Sequence, residues 1–439
     1  MKRFISIICA ISLLLSSLAL SSCEFGNDKS IEKAFINDEG ELILVYENGD
    51  RDNLGKVVGS DGADGMNGQS GSTVITTEGN DTSVACAVGL RSAVSIVSSF
   101  KTTIHSSGFY PGWGGGSRTE EYQSSGSGVI YKLDHASGSA FIITNYHVVY
   151  DSSSDTENCI SDDISVYLYG SAIEEKAIKA SYVGGSSYYD IAVLYVENSD
   201  ILKSSDAVAV TVTDSDLVSV GDSAIAIGNA QGLGISACFG VVSVDSEYIT
   251  MTASDGKSEV SFRVMRVDAA VNSGNSGGGL YDASGKLIGI VNAKIVDDGV
   301  ENIGYAIPSN VAVAIAENII DYCFESENES VRRAMLGITV STSDSKAIYD
   351  SESGLVKILE TISVYQISEN SLADGKLLEG DVFVSITVGD KTTEITRQYH
   401  VIDMMLSVRV GDVVELEVLR NGESEKISIT ITEDCLTSY

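Results

Sequence analysis

Between Val84 and Ile307 the chain consists of short runs rich in β-branched residues, separated by glycine, serine and aspartate. Strands at this spacing, without helical patterns between them, are typical of an all-β barrel or sandwich. The sequence therefore predicts a mainly β fold. Examples of the runs expected as strands are Ala93–Val97, Gly128–Tyr131, Ala140–Thr144, Ile164–Tyr169, Ile191–Val196, Ala224–Ile227, Gly240–Val244 and Leu287–Val291.

A helix and a second module follow these runs. Ser309 precedes apolar residues at helical spacing, which predicts an amphipathic helix over about 309–323 with Ser309 as its N-cap. The acidic segment Glu325–Ser330 indicates a linker. The last hundred residues predict a small β-rich domain able to fold by itself. Its expected elements are strands at Leu336–Val340, Val382–Ile386, Val413–Leu419 and Lys426–Ile431, a helix at about Arg397–Ser407 and a turn at Asn421-Gly422.

The first residues predict export. A basic start, an apolar run over Phe4–Leu20 and small residues before Cys23 are typical of a signal peptide, here residues 1–22. Leu20-Ser21-Ser22-Cys23 resembles a bacterial lipobox, which implies that Cys23 is lipidated. A plain secretory signal and an uncleaved membrane anchor are the alternatives. No later stretch is apolar for long enough to span a bilayer.

Two segments lie between the signal and the β-rich body. Residues 23–58 predict a short β-hairpin, with a strand at Glu41–Tyr46 and an Asn48-Gly49 turn. Residues 59–83 carry glycine at every third position and predict a flexible spacer that holds the body away from the membrane. The Asp-Gly pairs of the spacer could touch calcium, but solvated turns are favoured.

Charge and cysteine content exclude some functions. The formal net charge is −34, and clustered basic residues for phosphate contacts are missing, so nucleic acid is not an expected partner. The cysteines beyond residue 23 are widely spaced and form no CxxC pair, which gives no sign of a metal site. Buried free thiols are favoured over one or two disulfides. No metal or nucleotide cofactor is expected.

The stretch Asn272–Leu280 reads Asn-Ser-Gly-Asn-Ser-Gly-Gly-Gly-Leu and is a poor helix and a poor strand. Glycines around Ser276 let the backbone turn its N–H groups inward beside an exposed hydroxyl. An acyl-transfer site needs that combination, because a developing oxyanion must meet preorganised donors. An ordinary tight turn is the competing interpretation.

A serine nucleophile needs a base, and the chain has only four histidines. His147 directly follows the apolar strand Ala140–Thr144 and so is fixed at a strand end. The other three lie in a Ser/Gly-rich loop, a polar turn and the C-terminal module: His105, His135 and His400. Asp190, directly before the apolar run Ile191–Leu194, is the best candidate to orient the base, although composition alone leaves other carboxylates open.

The chain order His147, Asp190, Ser276 is that of chymotrypsin-type proteases. Over roughly residues 84–433 the chain resembles an HtrA/Deg-type serine protease followed by one PDZ domain. The resemblance implies a chymotrypsin-like double β-barrel at 84–323, a linker at 324–334 and a PDZ domain at 335–435. The motifs that carry it are Thr144–Val149, Asp190–Leu194, Ala226–Asn229, Val267–Leu280 and Ile303–Asn310.

The resemblance also implies residue roles. Ser276 would be the nucleophile, His147 the general base and then acid, and Asp190 the group that orients it. The N–H groups of Gly274 and Ser276 would form the oxyanion hole. Ala270, six residues before the nucleophile, would floor the specificity pocket with Val271 beside it; without a charge there, small or medium aliphatic side chains should be preferred.

The same resemblance places the carboxylate-binding loop of the PDZ domain at Leu336, Gly337 and Ile338. Relatives commonly have proline where this chain has Ala230, Ser273 and Gly279, so looser loops are expected around the active site. The segment Lys101–Gln123 departs as a Ser/Gly/aromatic-rich insert.

These observations predict a serine endopeptidase of HtrA/Deg type, extracytoplasmic and lipid-anchored to a bacterial membrane. It would degrade unfolded or damaged proteins, bind peptide C-termini at the PDZ domain and, as relatives do, assemble as a homotrimer. One alternative is a catalytically silent chaperone or peptide-binding protein on a protease fold. Another is a surface interaction protein built on the N-terminal hairpin and spacer.

Overall fold

The computed structural model describes residues 31–37, 41–56, 82–105, 117–171, 176–293, 303–326, 328 and 331–438. The expected signal peptide, Cys23, almost all of the glycine spacer and the middle of the 101–123 insert lie outside these residues. The chain divides into two compact units, Met1–Thr76 and Thr77–Tyr439.

The first unit contains a three-stranded antiparallel sheet of β1 (Ile31–Ile36), β2 (Glu41–Tyr46) and β3 (Arg51–Lys56). The predicted strand at Glu41–Tyr46 is confirmed, and so is its turn, where Gly49 has a φ of +87°. A β-carbon is unfavourable in that left-handed region, which explains the glycine. The strand β1 was not predicted.

The second unit begins with a helix that the sequence analysis missed, α1 (Thr82–Ser92). Its residues overlap the end of the predicted spacer and the start of the predicted β region. Small residues bring its backbone close to a barrel: a β-carbon on Gly89 would lie 2.5 Å from Cδ1 of Ile227. A helix that packs through small residues lacks the wide apolar stripe by which helices are recognised.

The first closed barrel runs in the order β4-β5-β6-β9-β8-β7. Its core contains the apolar side chains of Val94, Ile96, Ile130 and Ile142, all at most 1% exposed. The helices α2 (Tyr146–Val149) and α3 (Asp200–Ser204) follow β6 and β9. The strands are β4 (Ala93–His105), β5 (Ser117–Asp134), β6 (Ser139–Thr144), β7 (Asp163–Leu168), β8 (Ile178–Ser186) and β9 (Ile191–Val196).

The second closed barrel runs in the order β10-β11-β12-β15-β14-β13. Every predicted strand run falls within an observed strand of one barrel or the other, apart from the final residue of Ile164–Tyr169, so the mainly β double-barrel fold is confirmed. The strands are β10 (Ser223–Gly228), β11 (Ser236–Thr252), β12 (Glu259–Val267), β13 (Gly279–Tyr281), β14 (Leu287–Val291) and β15 (Gly304–Pro308).

The predicted amphipathic helix is α4 (Ser309–Cys323), with the expected bounds. The prediction that Ser309 caps it is wrong. Pro308 is the N-cap residue and gives no side-chain cap, while Ser309 is already helical. The Ser309 hydroxyl instead donates to the carbonyl of Thr213 at 2.8 Å, so it ties the helix to a neighbouring loop.

The C-terminal region forms a sheet in the order β17-β18-β19-β21-β22, with β20 beside β19 and β16 paired with β23. The predicted strand at Leu336–Val340 begins only at Ile338, because Gly337 has a φ of +75° that interrupts the extended backbone. The elements are β16 (Arg332–Ala334), β17 (Ile338–Asp350), β18 (Leu355–Ile367), β19 (Val382–Val388), β20 (Lys391–Glu394), α5 (Gln398–Ser407), β21 (Val413–Arg420), β22 (Glu423–Thr430) and β23 (Leu436–Ser438).

The cysteines of the described residues are free thiols, as expected, but the expectation that they are buried holds only for Cys323. The other four are half-buried: Cys86, Cys159, Cys238 and Cys435. No helix among the described residues combines the length and apolar character needed to cross a bilayer.

A buried arginine joins the second barrel to the C-terminal region. Arg263 on β12 is 2% exposed, with Nη1 at 2.9 Å from Asp216 Oδ1 and Nε at 3.0 Å from Asp403 Oδ2 on α5. Its guanidinium also lies 3.8 Å from the ring centroid of Tyr399. Burial raises the pKa of Asp403 to about 6, and Asp216 adds to the rise while Arg263 opposes it. Two carboxylates therefore share one guanidinium at this contact.

We expect Arg263→Met to lower the free energy of unfolding by about 3–5 kcal/mol, because it leaves two carboxylates in this contact without their cation. Asp403→Asn should cost much less, since Asp216 still pairs with Arg263. Urea unfolding followed by circular dichroism measures both. Equal losses in the two variants would contradict the shared-guanidinium arrangement.

The same contact predicts a pH dependence. When the pKa of a carboxyl is higher in the folded state than in the unfolded state, the group contributes to stability at low pH. This contribution is fully present below the unfolded-state pKa of about 3.9. That stability is lost as the pH rises through about 6. The free energy of unfolding of Asp403→Asn should therefore fall less between pH 4 and pH 7 than that of the unmodified chain.

Candidate active site

The stretch Asn272–Leu280 forms a tight loop that enters β13. The amide of Asn275 donates to the carbonyl of Asn272 at 3.0 Å, and the amide of Gly278 donates to the carbonyl of Asn275 at 2.9 Å. The loop is tied to β14 by the amide of Gly277, which donates to the carbonyl of Val291 at 3.0 Å. This bonding holds Ser276, 5% exposed, at a fixed place between the barrels.

Close packing explains the glycines around Ser276. Gly274 and Gly277 have φ values of +95° and +82°. A β-carbon on Gly277 would lie 2.2 Å from the carbonyl oxygen of Ser127, and one on Gly278 would lie 2.3 Å from that of Ile227. A β-carbon on Gly279 would lie 2.5 Å from the ring of Tyr281, so a larger residue there would require that ring to move.

Ser127 on β5 attaches this loop to the first barrel. Its hydroxyl donates to the carbonyl of Gly274 at 2.7 Å and accepts from the amide of Asn229 at 2.7 Å. Its own amide donates to the carbonyl of Ser276 at 2.8 Å. Ser127 was not among the predicted site residues, because a serine next to a strand run carries no sequence signal of its own.

No described acceptor is hydrogen-bonded to the amides of Gly274 or Ser276. The carbonyl of Gly274 is turned toward Ser127, so the loop backbone is fixed around these amides. They are the two donors that the sequence analysis expected to form an oxyanion hole.

The structure brings His147 and Asp190 together. Nδ1 of His147 lies 2.6 Å from Oδ2 of Asp190, and the amide of His147 donates to Oδ1 at 3.0 Å. His147 is on α2, directly after β6, and Asp190 immediately precedes β9. Because β6 and β9 are neighbours in the barrel, the two side chains meet at the strand ends. The ring is 21% exposed and the carboxylate 3%, so the pair faces a partly open cleft.

Three further residues hold Asp190. It has a left-handed φ of 54°, and the side-chain amide of Asn145 donates to its carbonyl at 2.8 Å. The side-chain amide of Asn292 donates to Oδ2 at 2.8 Å, and the hydroxyl of Ser254 donates to Oδ1 at 3.1 Å. Asn292 and Ser254 belong to the second barrel and were missed by the sequence analysis. They are distant from Asp190 in the chain, so only the fold could reveal them.

The Ser276 hydroxyl is engaged elsewhere. Its Oγ accepts a hydrogen bond from the amide of Ala293 at 3.3 Å. In the part of the chain that the structure describes, no hydrogen bond joins Ser276 Oγ to the ring of His147. The structure therefore forms the pair His147–Asp190 and places Ser276 in the same site without completing the third contact.

The remaining predicted site residues are placed as follows. Ala270 is exposed, and its carbonyl accepts from the side-chain amide of Asn275 at 3.4 Å. Val271 is half-buried over Gly304, where a β-carbon would lie 2.6 Å from Cγ2 of Val271. Both residues directly precede the Ser276 loop in the chain.

In the C-terminal region Leu336 is buried and Ile338 opens β17. A β-carbon on Gly337 would lie 2.2 Å from Cβ of Ser371, which leaves room for glycine alone. The described residues contain no group of three or more His, Cys, Asp or Glu side chains suited to a metal ion.

The other histidines have different surroundings. His135 places its ring nitrogens 3.0 Å from the carbonyls of Leu202 and Ala207. His400 accepts from the amide of Thr396 at 3.3 Å, and burial lowers its pKa. The expectation that His105 lies in a loop is wrong: it is the last residue of β4, paired with Ser117 of β5. Of the three histidines whose side chains the structure describes, His135, His147 and His400, only His147 has a hydrogen bond to a carboxylate.

Comparison with known proteins gives consistent matches. Residues 126–290 match the trypsin-like peptidase domain family. The chain is 30% identical over 361 residues to the "Serine protease Do-like HtrA" of Lactococcus lactis, covering 78% of this chain and 80% of that relative. It is 29% identical over 324 residues to the "Periplasmic serine endoprotease DegP" of Escherichia coli, covering 73% and 60% respectively.

A solved structure, "HtrA-type protease AlgW with decapeptide", also matches. The match has 25% identity and a TM-score of 0.47, and it covers 80% of this chain and 98% of that one.

We expect Ser127→Ala to lower the free energy of unfolding by about 2 kcal/mol, because it leaves the buried carbonyl of Gly274 and amide of Asn229 without their shared hydroxyl. Ser125→Ala, an exposed position on the same strand, is the matched control. Urea unfolding compares the two. A Ser127→Ala chain as stable as the Ser125→Ala chain would show that the hydroxyl does not hold the loop.

Proposed function

Because the chain belongs to the HtrA family of trypsin-like serine proteases, we propose that it is a membrane-anchored, extracytoplasmic endopeptidase that degrades unfolded proteins. Its activity as a serine endopeptidase follows from the family. The single observation that supports the assignment of its catalytic groups is the 2.6 Å contact between Nδ1 of His147 and Asp190. This contact occupies one ring nitrogen and leaves Nε2 as the proton acceptor.

In the proposed reaction, the Ser276 hydroxyl first leaves the amide of Ala293 and engages Nε2 of His147. Oγ attacks the carbonyl carbon of the scissile peptide bond while Nε2 takes its proton, and Asp190 stabilises the imidazolium that forms. The negative charge that develops on the carbonyl oxygen is received by the amides of Gly274 and Ser276. Preorganised donors of this kind each contribute about 10²–10³ in rate.

The second half of the reaction reverses the proton movement. His147 donates its proton to the leaving amine, and the bond between carbon and nitrogen breaks to give an acyl-enzyme on Ser276. A water molecule then attacks the acyl carbon as His147 takes a proton from it. Release of the carboxylic acid product returns the proton to Ser276 Oγ.

Substrate selection is proposed to depend on Ala270 and Val271. Neither side chain carries a charge, and Val271 narrows the space beside Gly304. We expect cleavage after small or medium aliphatic side chains, since a charged side chain would lose its hydration without gaining a counter-charge. A peptide library that varies only the residue before the scissile bond measures this. Preferred cleavage after lysine, arginine or aspartate would contradict the proposed pocket.

The C-terminal region is proposed to act as a PDZ domain that captures peptide C-termini. The strand β17 lies at the edge of its sheet, so a peptide can add a strand there. A cleft of about 300 Å³ separates its first residues, Ile338–Val340, from the second barrel, and Tyr248 and Phe262 line the barrel side of this cleft. Fluorescence anisotropy with an unfolded-protein tail peptide should show binding that C-terminal amidation abolishes. Equal affinity for the free and amidated peptides would contradict capture of the carboxylate.

Anchoring is proposed through lipidated Cys23. The Escherichia coli relative is named as periplasmic, which supports an extracytoplasmic location for this chain. Cys23→Ser should move the protein from the membrane fraction to the soluble extracytoplasmic fraction.

We also propose that the protein assembles as a homotrimer, as the family resemblance implies. Sedimentation equilibrium measures the number of chains in the assembly.

A catalytically silent chaperone on the same fold is the alternative. It is favoured by the lack, among the described residues, of a hydrogen bond between Ser276 Oγ and the ring of His147. Cleavage of unfolded casein separates the two functions. The unmodified chain should cleave, and Ser276→Ala should lose about 10⁶ in turnover. Ser273→Ala, at an exposed serine of the same loop, should retain activity. An unmodified chain that only prevents casein aggregation, as Ser276→Ala does, would establish the chaperone.

A further inference from the structure

The turn between β11 and β12 is closed by its own hydrogen bonds. The amide of Ala253 donates to the carbonyl of Ser258 at 2.8 Å, and the amide of Gly256 donates to that of Ala253 at 3.0 Å. Oδ1 of Asp255 accepts from the amides of Lys257 and Ser258 at 2.8 and 2.9 Å. The Asp255 carboxylate is thus engaged within the turn. Ser254 is held between these contacts and Ala253, which is 2% exposed.

Ser254 reaches out of this turn to the first barrel. Its hydroxyl donates to Oδ1 of Asp190 at 3.1 Å, although the two residues are 64 positions apart in the chain. The turn belongs to the second barrel, whereas Asp190 immediately precedes β9 of the first. This hydrogen bond therefore crosses between the barrels at the carboxylate that contacts His147.

Four hydrogen bonds to the Asp190 carboxylate are divided equally between its two oxygens. Oδ2 accepts from Nδ1 of His147 and from Asn292, and Oδ1 accepts from the amide of His147 and from Ser254. Each oxygen thus has one donor from His147 and one from the second barrel. Because both oxygens accept hydrogen bonds, rotation of the carboxylate about its Cβ–Cγ bond would break several of them at once. A single hydrogen bond would oppose this rotation less strongly.

We propose that Ser254 is a positioning residue that fixes the rotation of the Asp190 carboxylate, and through it the orientation of the His147 ring. The catalytic competence of His147 then depends on the conformation of the β11–β12 turn. This inference rests on the proposed roles of His147 and Asp190. Ser254 touches neither substrate nor the reacting atoms, so its effect is exerted through Asp190.

Two consequences separate positioning from a merely structural role. Loss of a hydrogen bond to a charged group typically lowers the equilibrium or rate constant that depends on it by a factor of about ten or more. Ser254→Ala should therefore lower kcat about tenfold with little change in KM. The carboxylate charge would also be less neutralised by donors, so it would hold the proton on His147 more tightly. The acid limb of the kcat/KM profile should therefore move to higher pH.

The experiment measures kcat, KM and the pH profile of the full chain on a fluorogenic peptide with an aliphatic residue before the scissile bond. Ser254→Thr keeps the hydroxyl and should recover most of the loss in Ser254→Ala. Ser261→Ala, an exposed position on β12, is the matched control and should behave as the unmodified chain. Thermal unfolding followed by circular dichroism verifies that each variant is folded at the assay temperature.

Each result decides the matter. A lower kcat with a displaced acid limb in Ser254→Ala, recovered in Ser254→Thr, supports the inference. Unchanged kcat and pH profile, equal losses in both variants, or a loss confined to KM or to the folded fraction overturns it while leaving the protease assignment intact. An unmodified chain no more active than Ser276→Ala overturns the catalytic assignment and the inference together.

Discussion

The hydrogen bond between Nδ1 of His147 and Asp190 is the contact on which the site depends, because it selects the ring nitrogen that faces the cleft. Residues of both barrels hold this contact in place. His147 and Asp190 come from neighbouring strand ends of the first barrel, and Ser254 and Asn292 hold the carboxylate from the second. The Asp190 carboxylate is only 3% exposed, and burying its charge costs free energy unless hydrogen bonds replace those to water. Donors from both barrels supply these hydrogen bonds.

The Ser276 loop also depends on contacts from both barrels. It lies in the second barrel, yet the hydroxyl and amide of Ser127 on β5 fix the carbonyls of Gly274 and Ser276. The glycines are required because the backbone of Ser127 and Ile227 occupies the positions of their missing side chains. In the proposed mechanism, the barrels hold the loop backbone in place while the Ser276 side chain still has to turn toward His147. Positioning of the loop amides and activation of Ser276 would then be separate steps.

Much of this could be predicted from the sequence, and the failures have physical causes. The short β-rich runs named in the sequence correspond to eight of the twelve described barrel strands, whereas β8, β12, β13 and β15 were not named. The helix α4 had the expected bounds because its apolar residues recur at helical spacing. The helix α1 was missed because it packs through small residues such as Gly89. His147, Asp190 and Ser276 could be found from residue type, strand ends and chain order. Ser127, Ser254 and Asn292 could not, because their importance lies in contacts between segments far apart in the chain.

Labelling by a serine-directed fluorophosphonate, read by peptide mass mapping at several pH values, tests directly whether His147 and Asp190 activate Ser276. We expect one adduct, on the peptide that contains Ser276, with a rate that falls at acid pH because the general base is lost. We also expect a large loss of rate in Asp190→Asn, where the wrong ring nitrogen faces the nucleophile. An adduct on another serine, or a Ser276 adduct whose rate is the same in Asp190→Asn, would contradict this activation.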